Sequence, residues 1–199
     1  MFSGIVESVQ PIVHSQELPN AYRIQITKPE EFNDLKLGDS VACDGVCLTV
    51  EAFDNKTITF ALAAETIRVL EWKPEKFLGK KVNLERSLRF GDRIHGHLVT
   101  GHVDSLGEVT RSDLQGESLF LDVKVADSIL PYVWKKGSVT LNGVSLTVNE
   151  LNGSTVSVCL IPETIKRTNL ALLKVGDRIN VEPDYMARAI QRSLEVRKD

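Results

Sequence analysis

The chain has 199 residues, 42% hydrophobic and 26% charged, with a formal net charge of −3. That length suits one large domain or two small ones with a real core, and the composition is that of an ordinary globular protein. Near-neutral charge, with no Lys/Arg cluster long enough to track phosphates, argues against a nucleic-acid partner.

The opening "MFSGIVESVQ" lacks a basic leader, and its apolar run is broken by Ser3, Glu7, Ser8 and Gln10. No signal peptide is expected there. No apolar stretch approaches bilayer length, so no membrane partner is expected. The phrase "SVACDGVCLTV" (Ser40–Val50) follows, with an Asp44-Gly45 turn signal inside it. In "TITFALA" (Thr57–Ala63), Ile58, Phe60 and Leu62 alternate with small or polar residues, the period of a half-buried strand. "ETIRVLE" after it reads as a helical turn.

Beyond a junction near Gly91–Leu98 the same phrases return. "FSGIVES" (Phe2–Ser8) meets "VTGHVDS" (Val99–Ser105) at an offset of 97. "SVTLNGVSLTV" (Ser138–Val148) repeats Ser40–Val50 at an offset of 98, with Asn142-Gly143 in place of Asp44-Gly45. "TVSVCLI" (Thr155–Ile161) is again a strand, "ETIKRTN" repeats the helical turn, and "INVE" (Ile179–Glu182) matches "VNLE" (Val82–Glu85). Two offsets differing by one imply compensating loop indels. The period is domain-sized, so the chain is two tandem homologous units rather than a solenoid. Short strands with regular turns in under about a hundred residues point to a small closed barrel in each. The tail is different. Asp184 is placed as an N-cap, Met186, Ile190 and Leu194 form an apolar stripe, and Arg197-Lys198 sit at the dipole end of a short helix. That stripe needs a partner.

The two units differ at reactive positions. Cys47 aligns with Ser145, Ile5 with His102, Gly38 with Lys136, and Ala63-Ala64 with Ile161-Pro162, while Thr49/Thr147 and Thr66/Thr164 are invariant. Each residue also has a plain structural reading. A lone cysteine is commonly buried and inert, and this extends to Cys43 and Cys159. His14, His95 and His97 read as surface or hinge residues, and Lys135-Lys136 as a solvated loop. Phe2 reads as a core anchor. Three histidines at 95, 97 and 102 raise a metal site, but no Asp or Cys ligand spacing accompanies them. The odd number of cysteines, without Cys-x-x-Cys spacing, suits a reducing cytoplasm.

Taken in order, "MFSGIVES", "GDSVACDGVCLTV", "GHLVTGHVD", "LNGVSLTV" and "LIPETIKRTNL" closely resemble the riboflavin synthase family over essentially the whole chain. The resemblance implies an all-β fold: two tandem six-stranded antiparallel Greek-key barrels, residues 1–97 and 98–184, and a C-terminal trimerisation helix, 185–199. It implies a dismutation in which one 6,7-dimethyl-8-ribityllumazine gives a four-carbon unit to a second. The products are riboflavin and 5-amino-6-(D-ribitylamino)uracil, and no metal or redox cofactor takes part. The implied assembly is a homotrimer with active sites between the first barrel of one subunit and the second of a neighbour; association with lumazine synthase is a further partner it raises. Catalytic roles fall on Cys47, His102 and Ser145. Ligand contacts fall on Gly4, Ile5 and Val6; Cys47, Leu48 and Thr49; Ala61, Leu62, Ala63, Ala64, Glu65 and Thr66; Gly101, His102 and Val103; Lys136; Ser145, Leu146 and Thr147; and Cys159, Leu160, Ile161, Pro162, Glu163 and Thr164, with Phe2 a weaker candidate.

Two related pockets are a direct way to hold two copies of one ligand, and holding reactants in contact can supply about 7–11 kcal/mol. A neutral-range imidazole suits His102 to move a C7-methyl proton. Cys47, or a water or hydroxyl held by Cys47 and Ser145, suits the nucleophile. The competing reading is a lumazine- or flavin-binding fluorescent protein of the same fold, which would be expected to have lost reactive groups in one repeat.

Overall fold

A computed structural model of the chain describes residues 1–71 and 76–196; Arg197-Lys198 lie outside them. The first half forms β1 (Ser8–Leu18), β2 (Ala21–Thr27), β3 (Ser40–Cys43), β4 (Val46–Phe53), β5 (Thr57–Ala63), α1 (Ala64–Leu70) and β6 (Lys81–Arg86). The strands close into a barrel in the order β1-β2-β5-β4-β3-β6, with antiparallel pairing throughout. Ile58, Phe60 and Leu62 of β5 are fully buried, as their alternation requires. The β3–β4 hairpin turns on Asp44 and Gly45, at φ 47° and 81°, the left-handed pair that matches strand twist. Pro11 stands where β1 leaves β6 for β2, so its missing N–H interrupts neither ladder.

The second half repeats this plan. Strands β7 (Ser105–Gln115), β8 (Ser118–Lys124), β9 (Ser138–Leu141), β10 (Val144–Thr147), β11 (Glu150–Asn152), β12 (Thr155–Leu160) and β13 (Arg178–Pro183) accompany α2 (Pro162–Arg167). The sheet order is β10-β9-β13-β7-β8-β12-β11. It is the first barrel's order, with the counterpart of β4 divided into β10 and β11. The expected six strands are counted as seven for a local reason. β4 absorbs an irregularity between Val50 and Ala52, and the second strand breaks at the matching Val148-Asn149. The sheet therefore curls until two consecutive strands stand at its two ends.

Helix α3 (Tyr185–Val196) ends the described chain. Asp184 caps it, accepting from the Met186 N–H at 2.8 Å. An Arg188–Asp104 ion pair ties α3 to the segment entering β7. Tyr185, Met186, Ile190 and Leu194 are 44–58% exposed, so the apolar stripe is unpaired within one chain.

The two halves exchange their entry segments. Val6 lies in the second half's core and Val9 packs against it, while Val103 and Leu106 pack on the first half's core. Phe2 and Val99 pair with each other on the local two-fold, through N–H···O bonds of 2.8 and 3.0 Å. Below them the two hairpin turns meet. Asn83 Nδ2 donates to the Asn142 carbonyl and Asn180 Nδ2 to that of Asp44, each at 2.8 Å. Asn169 breaks the symmetry, donating from Nδ2 to Asp44 Oδ1 at 2.7 Å. A buried seam bonded this fully fixes one relative placement of the barrels.

Candidate functional site

The exchange sorts the sequence-predicted residues into two constellations. In the first, the Cys47 N–H donates to the Gly101 carbonyl at 2.8 Å. This puts Gly101, His102 and Val103, from the second repeat, beside Cys47, Leu48 and Thr49 on β4 of the first. In the second, the Ser145 N–H donates to the Gly4 carbonyl, also at 2.8 Å. This puts Gly4, Ile5 and Val6 beside Ser145, Leu146 and Thr147 on β10. The segment bearing His102 and the strand bearing Cys47 thus come from different repeats yet meet through their backbones, as the segment bearing Ile5 meets the strand bearing Ser145.

Close approach explains the glycines. A Cβ on Gly4 would sit 2.6 Å from the Ser145 Cβ, and one on Gly101 2.6 Å from the Cys47 Cβ. Both glycines have positive φ, 75° and 80°, which a side chain would also oppose.

The remaining predicted residues follow β5 and β12. Ala61, Leu62 and Ala63 close β5, and Ala64, Glu65 and Thr66 open α1. Cys159 and Leu160 close β12, Ile161 precedes α2, and Pro162, Glu163 and Thr164 open it. Both short helices hold their acid in the same way. Glu65 pairs with Arg68, which pulls its carboxyl below the usual range, and Glu163 pairs with Arg167.

Strand alternation divides the predicted contacts. Val6, Leu48, Leu62, Leu146 and Leu160 are buried in the barrel interiors, while Thr49, Ala63, Thr147, Ile161 and His102 are exposed. Phe2 is fully buried in a small cluster with Ala42 and Val99, against which Cys47 packs. Lys136 is exposed at φ 69° and makes no ion pair among the described residues. Of the other cysteines, Cys43 is wholly buried, and burial pushes its thiol well up, followed by the Asp44 charge; it is chemically quiet.

His97, which the sequence presents as a hinge residue, is a member of the second constellation. Its Nδ1 lies 2.7 Å from the Ser145 Oγ and its Nε2 3.1 Å from the Thr140 Oγ1. Burial holds the ring below the ordinary histidine value, opposed by the Asp184 charge, so it is a neutral partner to both hydroxyls. Among the described residues no three His, Cys, Asp or Glu side chains converge as a metal set.

Thr49, His102 and Thr147 are open to solvent within one chain. A large cleft of about 990 Å³ opens on the first barrel, between Glu31–Asp39 and the linker Leu88–His95; Ser3, Ile5 and Glu85 also line it, and of the sequence-predicted residues it touches only Ile5. An Arg86 guanidinium bonded to Glu7 and Asp34, with its Cζ 4.6 Å from the centre of the Phe32 ring, helps to build one wall. The exposed predicted residues instead form two open faces, one per barrel.

Comparison with known proteins agrees with this duplication. The lumazine binding domain family matches residues 3–87 and again 100–184. A riboflavin synthase of Photobacterium phosphoreum is 36% identical over 199 residues, covering 100% of this chain and 91% of the relative. Those of Bacillus subtilis and Escherichia coli are 35% and 36% identical, each covering 98% of this chain and 90% and 92% of the relative. The crystal structure of LumP complexed with riboflavin superposes with a TM-score of 0.84 at 24% identity, covering 92% of this chain and 99% of LumP. LumP complexed with 6,7-dimethyl-8-(1'-D-ribityl) lumazine gives 0.82 at 24% identity, over 92% and 98%.

Proposed function

Because this chain belongs to the riboflavin synthase family, with a lumazine binding domain in each half, we propose that it converts two molecules of 6,7-dimethyl-8-ribityllumazine to riboflavin and 5-amino-6-(D-ribitylamino)uracil. The observation that carries the reading is the pair of related but chemically unequal constellations, Cys47 with His102 and Ser145 with His97. Two copies of one ligand need two similar seats, and their different fates need two different sets of reactive groups.

The proposed roles follow from this placement. His102 moves a proton at the C7 methyl of one lumazine, where the ring delocalises the resulting carbanion. The nucleophile that adds to C7 of the other lumazine is Cys47, or a water held between the Cys47 and Ser145 faces. His97 orients the Ser145 hydroxyl. Thr49 and Thr147, exposed at matching positions, offer hydroxyls to the pyrimidine edge or ribityl chain.

The open faces support an active site completed between subunits, the first barrel of one against the second barrel of another. Exposed α3 is the proposed trimer contact, with 1–97 and 98–184 as the two binding units and 185–199 as the assembly helix. No helix among the described residues is long and apolar enough to cross a membrane. Separately, the cysteine usage supports the cytoplasmic location proposed for the protein. Association with lumazine synthase stays a separate proposal about the assembled trimer.

Incubation with the lumazine, without metal or nicotinamide, should produce riboflavin absorbance with about two substrates consumed per product. Binding with an unchanged spectrum over many hours would replace this reading with that of a non-catalytic lumazine or flavin carrier, a possibility raised by the fold shared with LumP.

A further inference from the structure

We infer that Glu85 and Glu182 are paired positioning residues, each of which fixes the geometry of one pocket and not the other. The inference rests on the assignment of the two constellations as pockets. Glu182 is 2% exposed and Glu85 5%. Among the described residues neither carboxylate has a counter-ion; each is held by donors from the entry segment of its own repeat.

Glu182 accepts from the Thr100 N–H at 2.7 Å, the Thr100 hydroxyl at 2.6 Å and the Gly101 N–H at 3.1 Å. Glu85 accepts from the Ser3 N–H at 2.7 Å, the Ser3 hydroxyl at 2.8 Å and the Gly4 N–H at 3.0 Å. The glycine so held turns its carbonyl to the opposite barrel, Gly101 to the Cys47 N–H and Gly4 to the Ser145 N–H. Each half therefore contains one relay: carboxylate, left-handed glycine, reactive residue. Because the relays cross the seam, Glu182 on the second barrel sets the His102 segment against the thiol of the first. Glu85 on the first sets the Ile5 segment against Ser145 of the second.

The relays also differ in detail. The His102 N–H donates to the Thr100 hydroxyl at 3.2 Å, a bond that Ile5 does not make to Ser3 among the described residues. His102 thus depends on Glu182 through Thr100 as well as through Gly101. A glutamine at either position would turn an NH₂ toward backbone N–H donors and loosen the segment.

The test is the rate at which a maleimide labels Cys47, followed by peptide mass spectrometry in the full-length protein without ligand. Glu182→Gln should raise the Cys47 rate on the order of ten-fold, as expected when a charge-assisted hydrogen-bond set is broken. Glu85→Gln should leave that rate at the parent value while costing comparable thermal stability, and both should lower kcat/KM for the lumazine. Equal rises in both variants would reduce the carboxylates to general stabilisers, and no rise in either would remove the relay. Should Glu182→Gln fail to fold, Thr100→Val removes only the hydroxyl arm and carries the same expectation. The labelling pattern needs no substrate. If it holds without turnover, the relay stands and the enzymatic reading falls; if turnover occurs without the pattern, the reverse.

Discussion

Lys136 offers a test in which stability and activity move in opposite directions. It occupies φ 69°, and its N–H donates to the Val148 carbonyl at 2.8 Å; its counterpart Gly38 has φ 87° and donates to Val50 at 3.0 Å. The backbone is thus the same in both repeats, and only the second has a side chain on a conformation that opposes one. The left-handed region costs an L-residue about 1–2 kcal/mol. Glycine at the same place returns part of that gain, about 0.4–1 kcal/mol, through its freer unfolded chain. Lys136→Gly should therefore stabilise the fold by roughly 0.5–1 kcal/mol, a rise in Tm of about 1–4 °C for a protein of this size. An exposed lysine kept at such a position is expected to have a use, here an ammonium contact to bound ligand. Its loss should reduce kcat/KM by about ten-fold or more, the scale of a charged hydrogen bond. Differential scanning calorimetry and steady-state kinetics on the same preparation decide the matter. A lower Tm would show that the backbone is not strained, and unchanged turnover would remove Lys136 from the site.

Cys47→Ser should lose most turnover while retaining lumazine affinity, since the change is nearly isosteric and a thiolate is the stronger nucleophile; Ser145→Cys should not rescue it, because the His102 segment lies against the other barrel. Parent-level activity in Cys47→Ser would leave the thiol as packing. Truncation before Tyr185 should give folded barrels that no longer trimerise, with activity falling in parallel, as sedimentation would show; a fully active truncated trimer would contradict the role given to α3. Burial holds His97 below its unfolded value near 6.5, so the folded state takes up its proton later than the unfolded state as pH falls. The stability from keeping His97 neutral is fully present above the unfolded value, is lost as pH falls toward the folded value, and the loss levels off below it. His97→Gln should accordingly flatten the fall in Tm between about pH 7 and 5, and parallel curves for parent and variant would refute this.

What was legible in the sequence was whatever repeats or alternates. Ile58, Phe60 and Leu62 announced β5 because burial on a strand has period two, and Asp44-Gly45 and Asn142-Gly143 announced their turns because the turn needs positive φ. The broken counterpart of β4 was not legible, because an interruption at Asn149 leaves the apolar pattern intact on both sides. Aligning Cys47 with Ser145, and Ile5 with His102, correctly paired positions across repeats. It said nothing about which barrel each segment lies against. The signal for that was present in the matched glycines Gly4 and Gly101 and in the acids ending "VNLE" and "INVE", but it becomes readable only when the carboxylates are seen to bond the entry segments. His97 was missed for a simpler reason: at an offset of 97 it aligns ahead of Met1, so the repeat offers it no partner for comparison.

The exchange of entry segments also sets an order on the ribosome. The entry segment of the first repeat leaves the exit tunnel well before the second repeat, yet Gly4 pairs with Ser145, roughly 140 residues later. At about 5–20 residues per second, Val6 and its neighbours wait on the order of 7–28 s for the core that buries them. Strands β1–β6 can curl during this interval, but the barrel they form has no Gly101–Val103 segment over Cys47 until the second repeat begins to emerge. The entry segment of the first repeat is thus made before the second repeat and is among the last to find its place.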